Sequence, residues 1–413
     1  MSAHDHAKPI GGKLLDPLMK TLLVTFAVAA VVMLYRFFVG VGPVSNMTDG
    51  FTWGIWEPVN VVVFTGMGAG ALATGILCYL FNKGEYHGLV RPAVLLGAIA
   101  YTLGGSSILV ALGRWWNAAL LPILPWWNLN SALLEVAVCV MAYLAVLWIE
   151  VLPAVFDGAA ASKAPRWAAF GKRWGARLAS AMPFIIALAI LLPVMHQSSL
   201  GGLMLIAGPK IHPLWHSALL PLLFLVSCLS MGYGSVVVLV NVLRLEWNAK
   251  ADQALFAKMS RVNAGLLFFY SALRLGDIAI HGKLRYLGAN FPTVWFVLEM
   301  ALFLVPAFLF LSPAVAANRG KLFGAALLAV AAGAFYRVDT YLTFYRPAGW
   351  TDGVANPAGW NYFPSLGETI VTVGMAAIGM AIFVFLSRKF PVVVVEDRAQ
   401  PTVAGGKIAA GAR

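Results

Sequence analysis

Asn130-Ser-Ala-Leu-Leu-Glu-Val-Ala-Val-Cys-Val-Met-Ala-Tyr-Leu-Ala-Val-Leu-Trp-Ile-Glu150 carries acids only at Glu135 and at its far end. Coiled as an α-helix at about 1.5 Å per residue, such a run crosses roughly 30 Å of hydrocarbon. Its apolar residues do not alternate, as the strands of a membrane β-barrel would. Nine further runs of the same character occupy residues 19–39, 54–81, 91–113, 178–197, 215–243, 262–281, 293–313, 321–344 and 367–387. Charged residues make up only 11% of the 413-residue chain, against about 25% in soluble domains, and the mean hydropathy is +0.82. The chain therefore reads as an all-α polytopic membrane protein of about ten transmembrane helices. Residues 1–390 form a single transmembrane domain, and 391–413, rich in Ala and Gly, read as a disordered tail.

The first run follows Lys8, Lys13 and Lys20 but has no small-residue cleavage site, so it reads as a retained helix and not as a removed signal. If successive runs alternate in direction, twenty-one Lys and Arg residues fall on the side holding both termini. Only Arg114, Lys210, Lys283, Arg285 and Arg346 fall on the other, with Arg36, Arg274 and Arg337 inside helices. The positive-inside rule then places both termini in the cytoplasm. Topology and anionic lipid account for the net charge of +12, so nucleic acid is not needed as a partner. Between the helices the longest connections are a basic loop at 151–177 and a Gly- and Trp-rich loop at 345–366.

The outer connections read Phe51-Thr-Trp-Gly-Ile-Trp-Glu57, Gly113-Arg-Trp-Trp-Asn117, Leu124-Pro-Trp-Trp-Asn-Leu-Asn130, His196-Gln-Ser-Ser-Leu-Gly-Gly202, His212-Pro-Leu-Trp-His216 and Gly359-Trp-Asn-Tyr-Phe-Pro364. An interfacial aromatic belt explains part of this pattern. The interleaved Gly, Pro and Asn also suit an ordered surface on which another subunit docks. Cys78, Cys139 and Cys228 are far apart, lack paired spacing and read as packing residues, not metal or cluster ligands. None of the seven histidines falls near the middle of a predicted span, with His196, His212 and His216 grouped around one outer loop. A bis-histidine haem inside the membrane is disfavoured.

Ionisable side chains inside a bilayer are expensive and mark function by default. Glu57, Asn60, Glu135, Arg274, Asp277, Glu299, Arg337, Asp339 and Glu368 all fall toward the outer half. Arg274 and Asp277 have the i, i+3 spacing of a pair on one helical face, whereas Arg337 and Asp339 each need a partner from another helix. Such pairs serve either as interhelical glue or as a working site. Glu135 stands in an apolar run, and burial there would let a carboxyl exchange protons near neutrality. Tyr101, near mid-membrane beside Gly104 and Gly105, either extends that chain, bonds a ligand carbonyl or is a satisfied core tyrosine. Arg91, before Pro92, is either a snorkelling side chain or the inner mouth of a proton path.

Several of these segments also carry a resemblance. Gly50-Phe-Thr-Trp-Gly-Ile-Trp56, Tyr86-His-Gly-Leu-Val-Arg-Pro92, Tyr101-Thr-Leu-Gly-Gly105, Asn128-Leu-Asn-Ser131 with Glu135 and Cys139, Met195-His-Gln-Ser-Ser199 and His212-Pro-Leu-Trp215 resemble the NrfD/polysulfide-reductase membrane-subunit family. Within it they are most similar to the membrane subunits of hydrogenase-2-type nickel–iron enzymes. The resemblance runs from about Gly11 to the tenth helix. It implies two four-helix bundles plus extra helices, no haem or iron–sulfur cluster of the chain's own, and a quinone (menaquinone or ubiquinone) as exchangeable substrate. The implied partners are a periplasmic iron–sulfur electron-transfer subunit and the nickel–iron hydrogenase large and small subunits, assembled at the bacterial inner membrane. Arg91, Tyr101 and Glu135 match family positions linked with quinone and proton handling. Some relatives carry an acid in the inner half of helix six, where this chain reads Val236-Val-Val-Leu-Val240, so a second carboxylate route is not implied.

A quinone site needs hydrogen-bond donors, a proton source and access from lipid. Glu135, Tyr101, Trp116, Asn130 and His196 supply those elements. The same role with a molybdenum reductase, formate dehydrogenase or multihaem cytochrome as partner is a second reading. A transporter with Gly66, Gly68, Gly70 and Gly75 lining a pathway is a third.

Overall fold

Long apolar runs become helices because a lipid-embedded backbone must satisfy its own hydrogen bonds. The computed structural model describes residues 7–357 and 361–395. Ten long helices follow one another: α1 (Pro17–Val39), α2 (Trp56–Leu80), α3 (His87–Ala111), α4 (Ala132–Ala160), α5 (Pro165–Ala207), α6 (Leu220–Trp247), α7 (Gln253–Ile280), α8 (Phe291–Leu311), α9 (Arg319–Thr343) and α10 (Leu366–Lys389). Among the described residues, nine of them combine crossing length with low charge. The exception is α7, which carries Lys258, Arg261, Arg274 and Asp277. It must nevertheless cross, because the two ends of the chain meet. Lys8 N donates to Val393 O at 3.1 Å in an antiparallel bridge, and Lys250 N donates to Val394 O at 2.8 Å. Ends on one face require an even number of crossings.

α2 to α5 close one four-helix bundle, each helix packing on the next and α5 returning to α2. α6 to α9 close a second bundle in the same way, and α1 and α10 pair with each other and lean on α3. The bundles meet where α2 and α5 pack on α6. At that seam Gly232 sits so close to α2 that a Cβ would lie 2.6 Å from the Ala69 carbonyl oxygen. Gly68 is similarly tight against Ala100 of α3. The glycines of α2 thus serve close packing. α2 is not a regular helix, since wide π-helical turns at Trp56–Val63 and Ile76–Leu80 flank a break at Ala69. A further wide turn, Asp339–Thr343, ends α9. Such turns are commonly found at functional positions.

Two boundaries differ from expectation. The basic loop expected at 151–177 shrinks to residues 161–164, because α4 continues to Ala160 and Pro165 starts α5 from its first turn. At its other end α5 runs through Gln197-Ser-Ser-Leu-Gly-Gly202 to Ala207, so the outer loop expected at His196 is helix. The Ser198 hydroxyl donates to Met195 O at 2.8 Å and the Ser199 hydroxyl to Glu135 of the neighbouring α4, which satisfies these polar groups without breaking the helix. Gly201 admits the Leu220 backbone, whose carbonyl oxygen would be 2.4 Å from a Cβ.

The face opposite the termini holds the longer connections, among them a short hairpin of β1 (Trp350–Thr351) and β2 (Val354–Ala355). Of the expected Trp-rich motifs, Gly359 and Trp360 lie outside the described residues, as does the tail from residue 396 onward. Residues 391–395, expected to be part of the tail, are held by the bridges to Lys8 and Ala249. All three cysteines are buried in helices, as read from the sequence.

Gly232→Leu should prevent accumulation of the folded protein, since overpacking already costs about 1–3 kcal/mol in adaptable cores. Gly276→Ala, with open space around it, should leave the size-exclusion profile unchanged. A Lys8→Cys/Val393→Cys protein should form an intramolecular disulfide on mild oxidation of intact membranes; a persistently reduced pair would contradict the shared face.

Candidate functional site

Between the two bundles lies a polar cluster in an otherwise apolar layer. Gln197 on α5 is its link. Its Nε2 donates to Thr65 Oγ1 of α2 at 3.2 Å and to the Tyr101 hydroxyl oxygen of α3 at 3.3 Å, while its Oε1 accepts from Arg337 Nη2 of α9 at 3.1 Å. A guanidinium can only donate, so the amide oxygen must face Arg337. Arg337 further donates to Ser227 Oγ at 3.0 Å, Phe224 O at 3.1 Å and Gly333 O at 3.2 Å. It is fully buried, and no carboxylate among the described residues lies within ion-pair distance. The cation is therefore balanced by dipoles alone, an arrangement that favours negative charge developing beside it.

Tyr101 is fully buried and meets Tyr143 edge-on at 4.6 Å between ring centroids and His196 at 5.4 Å. Its oxygen accepts from Gln197, so its own proton remains to be given. Both ring nitrogens of His196, the Tyr143 hydroxyl, Arg337 Nε, Asn60 Oδ1 and Glu57 Oε2 are buried without a hydrogen-bond partner. Buried polar atoms in native proteins are nearly always satisfied, so the open positions on His196, Tyr143 and Arg337 are those that a water or ligand oxygen would fill.

The residues singled out from the sequence distribute unevenly around this cluster. Tyr101, His196 and Arg337 belong to it. His196 is not at a loop, as expected, but eleven residues inside α5, about 16 Å along the axis from its end. Glu135, expected to be buried, is exposed on the outer surface of α4, where its Oε1 accepts from Ser199 Oγ at 2.5 Å. Ser199 lies two residues beyond Gln197, so α5 stands between Glu135 and the cluster. Trp116 and Asn130 are exposed in the α3–α4 connection. Arg91 is ten residues, about 15 Å, from Tyr101, pairing with Asp157 at 2.5 Å and donating to Pro391 O at 2.9 Å on the terminal face.

Arg274 and Asp277 do not pair with each other. Arg274 instead turns to Glu299 of α8, with Nε 3.1 Å from Oε1, both side chains fully buried. Glu299 also accepts from Trp215 Nε1 at 2.7 Å and from the Tyr270 hydroxyl at 2.8 Å, and Arg274 donates to Leu214 O at 2.8 Å. Asp277 takes Lys283 at 2.5 Å and His281 at 3.0 Å. Asp339 accepts from Trp295 Nε1 at 2.5 Å. Arg337 and Asp339 thus each find partners on other helices, as their spacing requires. The Arg274–Glu299 group is saturated and reads as glue within the second bundle.

Gln197 and Ser227 were not singled out from the sequence, since a neutral side chain inside a long helix gives no charge signal. Glu368, which the sequence places in the outer-half polar set, ties three segments together. It accepts from Asn46 N at 3.0 Å, Ser365 N at 2.9 Å and the Tyr362 hydroxyl at 2.5 Å. The Ser365-x-x-Glu368 spacing is a capping box and could have revealed it.

A haem between facing helices needs two axial ligands and room for its macrocycle. Among the described histidines only His196 lies deep in a span, and it is walled by Tyr101. His87 and His216 face carbonyls at helix ends, and His281 faces Asp277. His212 is ringed by Trp215, Tyr286, Phe344 and Trp350, and burial pushes its pKa down to about 4. These residues do not fit a bis-histidine haem. The described residues also contain no group of three or more His, Cys, Asp or Glu placed to hold a metal ion.

Similarity to known proteins follows the same helices. An Escherichia coli K12 protein named probable Ni/Fe-hydrogenase 2 b-type cytochrome subunit is 34% identical over 394 residues, 94% of this chain and 95% of its own length. The integral membrane subunit of menaquinone reductase from Nitratidesulfovibrio vulgaris Hildenborough is 27% identical over 165 residues, 39% of this chain and 36% of its own. Residues 43–339 match the family described as polysulphide reductase, NrfD. That stretch reaches from the loop before α2 to the Arg337–Asp339 turn of α9, and the chain belongs to the NrfD family of integral membrane proteins.

Proposed function

We propose that this chain is the quinone-reactive membrane subunit of a bacterial respiratory oxidoreductase. It passes electrons between a periplasmic iron–sulfur subunit, served by nickel–iron hydrogenase large and small subunits, and the quinone pool of the inner membrane. The observation that carries the reading is the convergence of Tyr101, His196, Gln197 and the uncompensated Arg337 between the bundles. Quinone reduction takes two electrons from the iron–sulfur partner and two protons, and negative charge grows on the carbonyl oxygens as the electrons arrive. A fixed guanidinium and an uncommitted tyrosine proton stabilise that charge without reorganisation. The name of the E. coli relative supports the hydrogenase partner, and that of the N. vulgaris relative supports quinone as substrate. This reading takes the chain to be haem-free although the E. coli relative is named a b-type cytochrome subunit, and it rests on the described histidines, of which only His196 lies deep in a span.

The positive-inside rule assigns the terminal face to the cytoplasm, so the Trp-rich connections face the periplasm and the docking subunit. Glu135, Trp116 and Asn130 lie at that end, with Glu135 exposed beside Ser199. Arg91 lies too far from Tyr101 to touch the same ligand. Its place in this reading is the cytoplasmic mouth, with Asp157, of a path that would let quinone reduction draw protons across the membrane.

In the complex purified in mild detergent with its companions, Gln197→Leu should lower hydrogen-to-quinone turnover on the order of 10²-fold, because it releases Arg337 and Tyr101, the groups aimed at developing charge. Hydrogen oxidation with a soluble dye should be unchanged, and full quinone turnover in this variant would remove the cluster from the mechanism. Glu135→Gln should slow quinone-linked turnover together with proton release; unchanged values for both would relieve Glu135 of a proton role.

A further inference from the structure

α5 is 43 residues long, about 64 Å at 1.5 Å per residue, roughly twice the hydrocarbon thickness. Its first turns extend past the other helices on the terminal face. Gly171 seats against α4, where a Cβ would be 2.5 Å from both Phe156 O and Ala160 N, and Gly158 packs on Phe390. Residues 156–160 and 171 therefore lie level with the Arg91–Asp157 pair and the end of α10, where charge first becomes frequent. Residues 161–170 project beyond that level.

The first turns of α5, on both sides of Gly171, carry two stripes. Trp167, Phe170 and Trp174, at i, i+3 and i+7, are exposed along one flank, with ring centroids 5.8 Å apart for Trp167–Phe170 and 6.3 Å for Phe170–Trp174. Arg166, Arg173 and Arg177, at i, i+7 and i+11, form the neighbouring stripe, and Arg177 lies 4.9 Å over the Trp174 ring. Lys163 and Lys172 are close in sequence, and all five cations are exposed. None has a carboxylate partner among the described residues. Elsewhere on this face Arg91 pairs with Asp157 and Lys258 with Glu85. A helix that sets aromatic rings and unpaired cations side by side across the hydrocarbon edge, where long arginine stems can reach outward, matches the chemistry of an anionic bilayer surface.

We propose that the exposed end of the α4–α5 hairpin is a binding site for anionic phospholipid headgroups. Arg166, Arg173 and Arg177 engage the phosphates while Trp167, Phe170 and Trp174 sit at the boundary with the acyl chains. The positive-inside rule accounts for basic residues on this face but not for their concentration, without acids, beside an aromatic stripe. The site is independent of the quinone reading and of which face is cytoplasmic.

The test is native mass spectrometry of the full-length protein released from nanodiscs of mixed phosphatidylglycerol and phosphatidylcholine. The wild type should retain phosphatidylglycerol in preference to phosphatidylcholine. An R166Q/R173Q/R177Q variant should bind it on the order of a hundredfold more weakly, each cation being worth about fivefold near a charged surface. R114Q/R285Q, which removes exposed cations of the opposite face, should match the wild type. W167A/W174A, with every cation kept, should lose part of the retention. The proposal is overturned if the wild type shows no headgroup preference, if both charge variants lose lipid equally, or if the triple variant keeps its lipid and instead sheds a soluble protein.

Discussion

One buried guanidinium organises this molecule. Arg337 sits between the bundles with no carboxylate beside it, held by two main-chain carbonyls of its own bundle, a serine hydroxyl and the amide oxygen of Gln197 from the other bundle. Desolvating a cation without a counter-ion is among the largest costs a fold can carry. The bundles must therefore stay in register for Gln197 to reach it, and Gln197 in turn fixes Thr65 and Tyr101. The geometry of the polar cluster depends on this contact between bundles.

The contrast with the second charged group is instructive. Arg274 and Glu299 neutralise one another, and Trp215, Tyr270 and Leu214 complete their hydrogen bonds. A saturated pair holds helices together and has nothing left to offer a substrate. The cluster around Arg337 retains unfilled capacity on His196, Tyr143 and its own Nε. Two buried arginines of similar depth thus serve opposite ends, and the difference lies in what surrounds them.

Much of the fold was legible in the sequence because hydrocarbon imposes a coarse rule: ten runs of sufficient length gave ten helices, α7 included despite its charges. What the sequence concealed follows from the same physics. Gln197-Ser-Ser-Leu-Gly-Gly202 looks like a connection, yet each polar group finds an acceptor within or beside α5, so the helix continues. The i, i+3 spacing of Arg274 and Asp277 permitted a pair that tertiary packing overrode in favour of Glu299 and Lys283. Glu135 lies in an apolar run, but periodicity alone did not say whether its side of α4 faced protein or lipid, and it faces outward. Gln197 carries no charge and so gave no warning of its central position.

The pairing of the chain's two ends bears on how the protein comes to be made. α1 is separated in sequence from its principal neighbour, α10, by both bundles. Asp16 at its start is tied to Arg388 near the end of α10, and Arg388 also reaches Lys13 O. Until α10 has been made, α1 must wait in lipid with its packing face bare while the eight helices between them are inserted. Sequence separation between partners slows closure, so the joining of α1 to α10 is the natural final event of assembly, and a chain stopped before α10 leaves a loose helix that quality-control proteases can distinguish from a finished subunit.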